Sequence, residues 1–226
     1  MAIHHEIVKS AERIRPYIRR TPFNSSVSIT ELIDTEVWFK LESLQVTGSF
    51  KARGAVNKLL SLSTDEREYG VVSASTGNHG AAVAYGAQKL GIQCTIYVPQ
   101  DTSPAKLENM GLYDARIEYF GNDCIECEVK AREVSDKTGK TYISPYNDPY
   151  VIAGQGTVGV EIEDQGDELD VLIVSLGGGG LIGGIASYLK YTWPSLHVIG
   201  CSPENSAVMI HSMAAGKVLD LESKPT

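Results

Sequence analysis

The features that commit a chain to a membrane, a nucleic acid or a disulfide framework are scarce in these 226 residues. One segment, Val171 to Leu189, is uncharged and long enough to invite a membrane reading, but six of its nineteen residues are glycine, four of them consecutive. Consecutive glycines oppose a helix by about 1 kcal/mol each relative to alanine. A buried strand, a glycine turn and a helix account for the segment better, and no membrane partner is expected. Lys and Arg number 20 against 28 Asp and Glu, a formal charge of -8 with no basic patch, which excludes nucleic acid as a partner. Any anionic ligand must be captured locally. Cys94, Cys124, Cys127 and Cys201 are too few for a disulfide scaffold. Cys124 and Cys127 stand one helical turn apart without the second ligand pair that a zinc site needs. The first twenty residues carry Glu6 and Glu12 and no apolar core, unlike a secretory or transit peptide. Reduced thiols and a cytoplasmic location are the expectation. What is abundant, 42% hydrophobic residues and 22 glycines, suits a globular chain of one large or two small domains.

Short runs rich in Val, Ile and Tyr alternate with helical patterns. Strands are expected at 36–42, 70–75, 94–99, 115–120, 141–145, 170–176 and 197–202. Helices are expected at 49–62, 78–90, 103–111, 123–138, 149–164, 180–192 and 205–215. Strand, helix, strand in succession means an α/β fold with parallel sheets covered on both faces. Ligands on such sheets gather beyond the carboxyl ends of the strands.

Three stretches fall at those ends. "SLGGGGLIGG", Ser175 to Gly184, follows a strand and opens a helix. Its glycines let backbone N–H groups turn inward, and the helix N-terminus adds positive potential, so a phosphate fits. Gly178, Gly180 and Gly183 also satisfy the dinucleotide pattern G-x-G-x-x-G, but the next strand ends at Ser202 where that pattern expects an acid. "SASTGNHGAAVA", Ser73 to Ala84, offers Ser75, Thr76, Asn78 and local amides as donors for a carboxylate or ring hydroxyl. Asn78 could instead cap a helix, with His79 an ordinary first-turn residue. In "LQVTGSFKARGA", Leu44 to Ala55, Lys51 stands near a helix start, where the dipole lowers an ammonium's pKa and favours the nucleophilic neutral amine. Lysine amines form Schiff bases with carbonyls and with pyridoxal phosphate, whose phosphate needs a cradle such as the glycine loop.

Together "TGSFKARGA", "STGNHG", "VIAGQGT" at 151–157, the tetraglycine loop and "PENSAVM" at 203–209 resemble the fold-type II pyridoxal-phosphate enzymes, most closely the threonine/serine dehydratase and serine racemase family. The resemblance implies the tryptophan-synthase-beta-like architecture of two parallel-sheet αβα domains. A small substrate domain would span 53–148, and a large cofactor domain 1–52 plus 149–226. It implies pyridoxal 5'-phosphate on Lys51 as a Schiff base, with Phe50 beside the pyridine ring and Asn78 on the ring hydroxyl. Gly177, Gly178, Gly179, Gly180 and the amide of Leu181 would cradle the phosphate. Ser75, Thr76 and His79 would line the loop that takes the carboxylate of a small amino-acid substrate. Lys51, once displaced, would remove the α proton, so that a β hydroxyl leaves and serine or threonine becomes a 2-oxo acid and ammonia.

Thr76 bears a hydroxyl where dehydratases of the family often carry alanine and racemases carry the serine that is the second acid/base. Racemisation is thus implied beside dehydration, and hydroxyaspartate joins threonine and serine among the substrates. No metal is expected at "PENSAVM", since Ser202 and Val208 occupy the places of acidic ligands in metal-binding members. Members of the family continue well beyond "GKVLDLESKPT", so the large domain is expected to lack its C-terminal part and to expose an apolar wall. A homodimer is the expected assembly. Two other classes remain: a nicotinamide-binding oxidoreductase, which would use the glycine pattern, and a non-catalytic truncated subunit.

Overall fold

The structure is a computed structural model that describes residues 3–219 and 221. The residues of "GKVLDLESKPT" beyond these lie outside it. The chain opens with helix α1 (Ile3–Ile14), in which Ile7, Ser10 and Ile14 are buried along one stripe. Strand β1 (Phe23–Ser25), helix α2 (Val27–Ile33) and strand β2 (Trp38–Lys40) follow, and a 3-10 turn spans Glu42–Leu44. Helix α3 (Lys51–Leu60) and helix α4 (Thr64–Tyr69) lead into strand β3 (Val71–Ala74). Next come α5 (Asn78–Leu90), β4 (Cys94–Val98), α6 (Pro104–Gly111), β5 (Arg116–Tyr119), α7 (Cys124–Thr138) and β6 (Thr141–Tyr142). The chain then runs through α8 (Pro149–Gln165), β7 (Val171–Ser175), α9 (Gly180–Thr192) and β8 (His197–Cys201) to α10 (Val208–Ala215).

Four parallel strands form a sheet in the order β5-β4-β3-β6. Consecutive residues Val71, Val72 and Ser73 of β3, and Cys94, Thr95 and Ile96 of β4, are all buried, so the sheet is covered on both faces. A core drawn from residues 52 to 143, including Leu59, Val71, Ile96 and Met110, fills the space between this sheet and its helices. A second parallel pair, β7 and β8, lies in register Val171 with His197 through Ser175 with Cys201. Leu172, Val174 and Val198 turn one face of that pair toward Ile185 and Leu189 of α9. Val171, Ile173 and Ile199 on the other face are 47%, 68% and 47% exposed.

The strands and helices of the parallel sheets fall close to where the sequence places them. The stretch 36–42 does not: only three residues form a strand, and β2 pairs antiparallel with β1, Phe23 opposite Lys40 and Ser25 opposite Trp38. Three-residue strands bury too little to leave an alternating pattern. The stretch 141–145 stops at Tyr142, and 205–215 divides into a 3-10 turn at Glu204–Ser206 and α10. Helices α1, α2 and α4 were not anticipated; in α1 the apolar residues are spaced at helical intervals rather than contiguous.

One crossing positions the rest. Helices α3 and α8 meet through glycines: a Cβ on Gly154 would lie 2.6 Å from the Arg53 carbonyl oxygen, and one on Gly54 2.8 Å from the Val151 carbonyl oxygen. Both obstacles are backbone, which cannot swing aside. Gly154→Ala should therefore lower stability toward the upper end of the roughly 1–3 kcal/mol of overpacked cores. Urea denaturation followed by circular dichroism checks this, and an unchanged midpoint would mean that the helices separate easily.

Candidate active site

Gly48 takes φ +74, a conformation open to glycine, and so turns the chain into α3. The Ser49 hydroxyl then accepts a hydrogen bond from the Lys51 amide at 3.1 Å. Lys51, the first residue of α3, directs its amine across the cleft to donate to the Pro145 carbonyl oxygen at 2.8 Å. Its Nζ lies 5.3 Å from the centre of the Phe50 ring. Burial pushes the amine down to about 8 from its ordinary 10.5. The direction matches the sequence expectation, and its cause in the folded chain is desolvation by burial.

A cleft of about 350 Å³ holds Lys51 and Phe50 on one side and the loop Gly177 to Gly180 with Leu181 on the other. The loop leaves β7 and becomes the first turn of α9, whose leading N–H groups have no partner within the helix. Gly179 is left-handed, at φ +84. Gly178 packs so closely under Tyr146 that a Cβ there would meet the ring at 2.4 Å, whereas a Cβ on Gly177 would meet nothing within 4 Å. Open space, unpaired amides and a depressed amine in one cleft suit an aldehyde-bearing phosphate ester. β8 ends at Cys201, and Ser202, where a dinucleotide pattern expects an acid, donates its hydroxyl to the Leu176 carbonyl, with Glu204 two residues on.

The "STGNHG" stretch lies at the carboxyl end of β3. Ser75 Oγ accepts from the Gly77 amide at 3.2 Å; Thr76 is half-buried, and Asn78 is exposed as the first residue of α5, which Gly77 rather than Asn78 caps. These residues do not line the Lys51 cleft itself. The His79 side chain departs from expectation. Its ring is 3% exposed, and Nε2 lies 3.0 Å from the Ile143 carbonyl oxygen, which also accepts from the Ser73 hydroxyl at 2.9 Å. Burial first, and then the nearby Lys51 charge, hold its pKa down to about 3 against the bond to Ile143. A neutral imidazole buried against the Ile143 carbonyl is not available to line a carboxylate loop with its side chain.

Pro145, Tyr146 and Arg53 escaped the sequence reading. Pro145 acts through a main-chain carbonyl, which no residue type announces. Arg53, fully buried, was legible as a charge inside the otherwise apolar "ARGAV". Among the described residues no group of three or more His, Cys, Asp or Glu could hold a metal ion, and no helix is long and apolar enough to cross a membrane.

The family model for pyridoxal-phosphate dependent enzymes matches residues 14–226. An L-threonine ammonia-lyase of Thermotoga maritima is 41% identical over 222 residues, 98% of this chain and 55% of that protein. A catabolic L-threonine dehydratase of Staphylococcus aureus is 41% identical over 210 residues, 92% of this chain and 60% of the relative. The structure of maize serine racemase superposes with a TM-score of 0.94 at 37% identity, covering 98% of this chain and 68% of the racemase. The chain thus spans little more than half the length of the curated relatives it matches.

The Lys51 amine has a measurable signature in folding. With a folded pKa near 8 and an unfolded value of 10.5, the native chain binds fewer protons between those limits, so its stability rises with pH across them. A Lys51→Met variant lacks this term and should be the more stable at pH 7. Urea midpoints of the two proteins are expected to converge from pH 8 to pH 10, and a constant gap would contradict the buried amine.

Proposed function

Since the chain belongs to the family of pyridoxal-phosphate dependent enzymes, matched over residues 14–226, we propose that it carries the site for deaminating dehydration of a hydroxy amino acid. L-threonine or L-serine would give a 2-oxo acid and ammonia. The observation that carries this reading is one cleft holding both the desolvated Lys51 amine and the tetraglycine loop. The names of the two relatives at 41% identity support L-threonine.

When bound, pyridoxal phosphate supplies a conjugated ring that accepts the electrons left when an α proton departs. The chain would supply everything else. Gly177 to Gly180 and the Leu181 amide would hold the phosphate at the α9 N-terminus. Phe50 would stand beside the ring, and Asn78 would donate to its hydroxyl. Ser75, Thr76 and the leading amides of α5 receive the substrate carboxylate. Lys51 would hold the cofactor and would take the α proton; an amine with a pKa near 8 is in part neutral at physiological pH and can accept one. Residues 53–148 form a small domain that closes over the substrate against 1–52 and 149–226. We place the protein in the cytoplasm as a homodimer.

A second reading, racemisation, is favoured by Thr76, whose half-buried hydroxyl stands at the β3 end where a second acid/base would act, and by the likeness to maize serine racemase. In that case D-serine forms from L-serine, and Thr76→Ala abolishes it while sparing 2-oxo acid formation.

Absorption spectra of the chain with added pyridoxal phosphate, borohydride reduction and mass mapping test the main reading. A reduced adduct on Lys51 is expected, and Lys51→Ala should cut 2-oxo acid release by about 10²–10⁴-fold or more. Binding of a nicotinamide instead, or of no cofactor, would return the oxidoreductase or assembly readings.

A further inference from the structure

Arg53 sits two residues beyond Lys51 on α3, about 200° around the helix, so the two side chains leave opposite faces. It is 0% exposed. Its guanidinium grips two carboxylates at once. Nε and Nη2 donate to Glu42 at 2.8 and 2.7 Å, and Nη1 and Nη2 donate to Glu161 at 2.7 and 2.9 Å. Nη1 also reaches the Thr157 hydroxyl at 3.2 Å. Lys40 closes the cluster with bonds to Glu161 at 2.6 Å and to the Thr21 carbonyl oxygen at 2.7 Å. Two cations face two carboxylates, so the buried cluster carries no net charge.

Burying such a cluster is a poor way to gain stability, since apolar residues of similar volume serve as well or better. Its geometry is more specific than that. Glycine-to-glycine packing of α3 on α8 brings the backbones close, with Gln155 Oε1 accepting from the Gly54 amide at 3.2 Å, but one neutral bond does little to stop rotation or sliding. A double fork does stop them, because bidentate guanidinium pairs tolerate one orientation. Moreover, α8 continues backward through Asp148 into the segment that carries Pro145. The helix that anchors Arg53 is thus joined to the carbonyl that holds the Lys51 amine.

We propose that Arg53, clamped between Glu42 and Glu161, is the positioning residue that fixes α3 on α8 and so seats the Lys51 amine on the Pro145 carbonyl. Lys58 to Asp148 at 2.9 Å and Asn57 to the Tyr150 carbonyl at 2.7 Å join the same helices further along α3, but Arg53 is the rung beside Lys51. Its significance for catalysis rests on the reading of Lys51 as the reacting amine.

Competitive acetylation with acetic anhydride, read by mass spectrometry on the Lys51 peptide from pH 6 to pH 11, measures the seat of the amine without any cofactor. His79 of α5, whose protonation the Lys51 charge opposes, stays neutral over that range, and burial raises the Tyr146 phenol on the facing segment. The wild-type midpoint is expected near 8. Arg53→Lys keeps the charge but loses the fork. Its midpoint should rise by one unit or more toward 10.5, making Lys51 about fivefold or more less reactive at pH 8. Circular dichroism melting establishes that the variant is folded. If Arg53→Lys does not fold, the isosteric Glu42→Gln reads the same shift. An unshifted midpoint in whichever variant is folded overturns the proposal. Parallel reduction with pyridoxal phosphate separates the two ideas: wild-type protein unmodified at Lys51 defeats the proposed function, whereas equal modification rates at pH 8 in wild-type and folded variant defeat the positioning role alone.

Discussion

The whole arrangement depends on the approach of two helices at bare backbone. Because Gly54 and Gly154 have no side chains, α3 and α8 come together at distances that a single methyl group would forbid. That approach brings the N-terminus of α3 beside the segment between β6 and α8. A wider crossing would leave the Lys51 amine short of the Pro145 carbonyl and open to water.

Around this crossing three strand ends converge. β3 contributes the Ser75 to His79 turn, β6 leads into the Pro145 segment, and β7 leads into the tetraglycine loop. Each is followed by a helix, α5, α8 and α9; Asp148 takes the leading amides of α8, while α5 and α9 present theirs to this region. The chain's overall negative charge makes this local concentration of donors the means of holding an anion. The buried cations Arg53 and Lys40 are paired with Glu42 and Glu161 rather than turned to the cleft.

Much of this was legible because parallel sheets write themselves plainly. Buried strands such as β4 read as apolar runs, and α9 could be bounded to the residue because glycines precede it and proline follows Trp193. The glycine loop and Lys51 were legible for the same reason, since unusual residues at strand and helix ends have few structural uses. The β1–β2 ribbon was not, because three-residue strands bury too little to pattern a sequence. Nor was the inward turn of His79: whether a first-turn ring faces solvent or core depends on the carbonyl of Ile143, sixty-four residues away in the chain. The part that burial plays in the depressed Lys51 pKa was not legible either, because burial is a property of the folded surroundings.

The partner of the Lys51 amine is a carbonyl, not a carboxylate. A carboxylate would bind the ammonium far more tightly than the amine and would resist its deprotonation. A carbonyl oxygen only accepts, and both forms of the lysine have an N–H to give. The side chain can therefore keep one resting position through a change of charge. Acidity then governs how reactive the nitrogen is without governing where it stands, and the site stays ordered through the proton's departure.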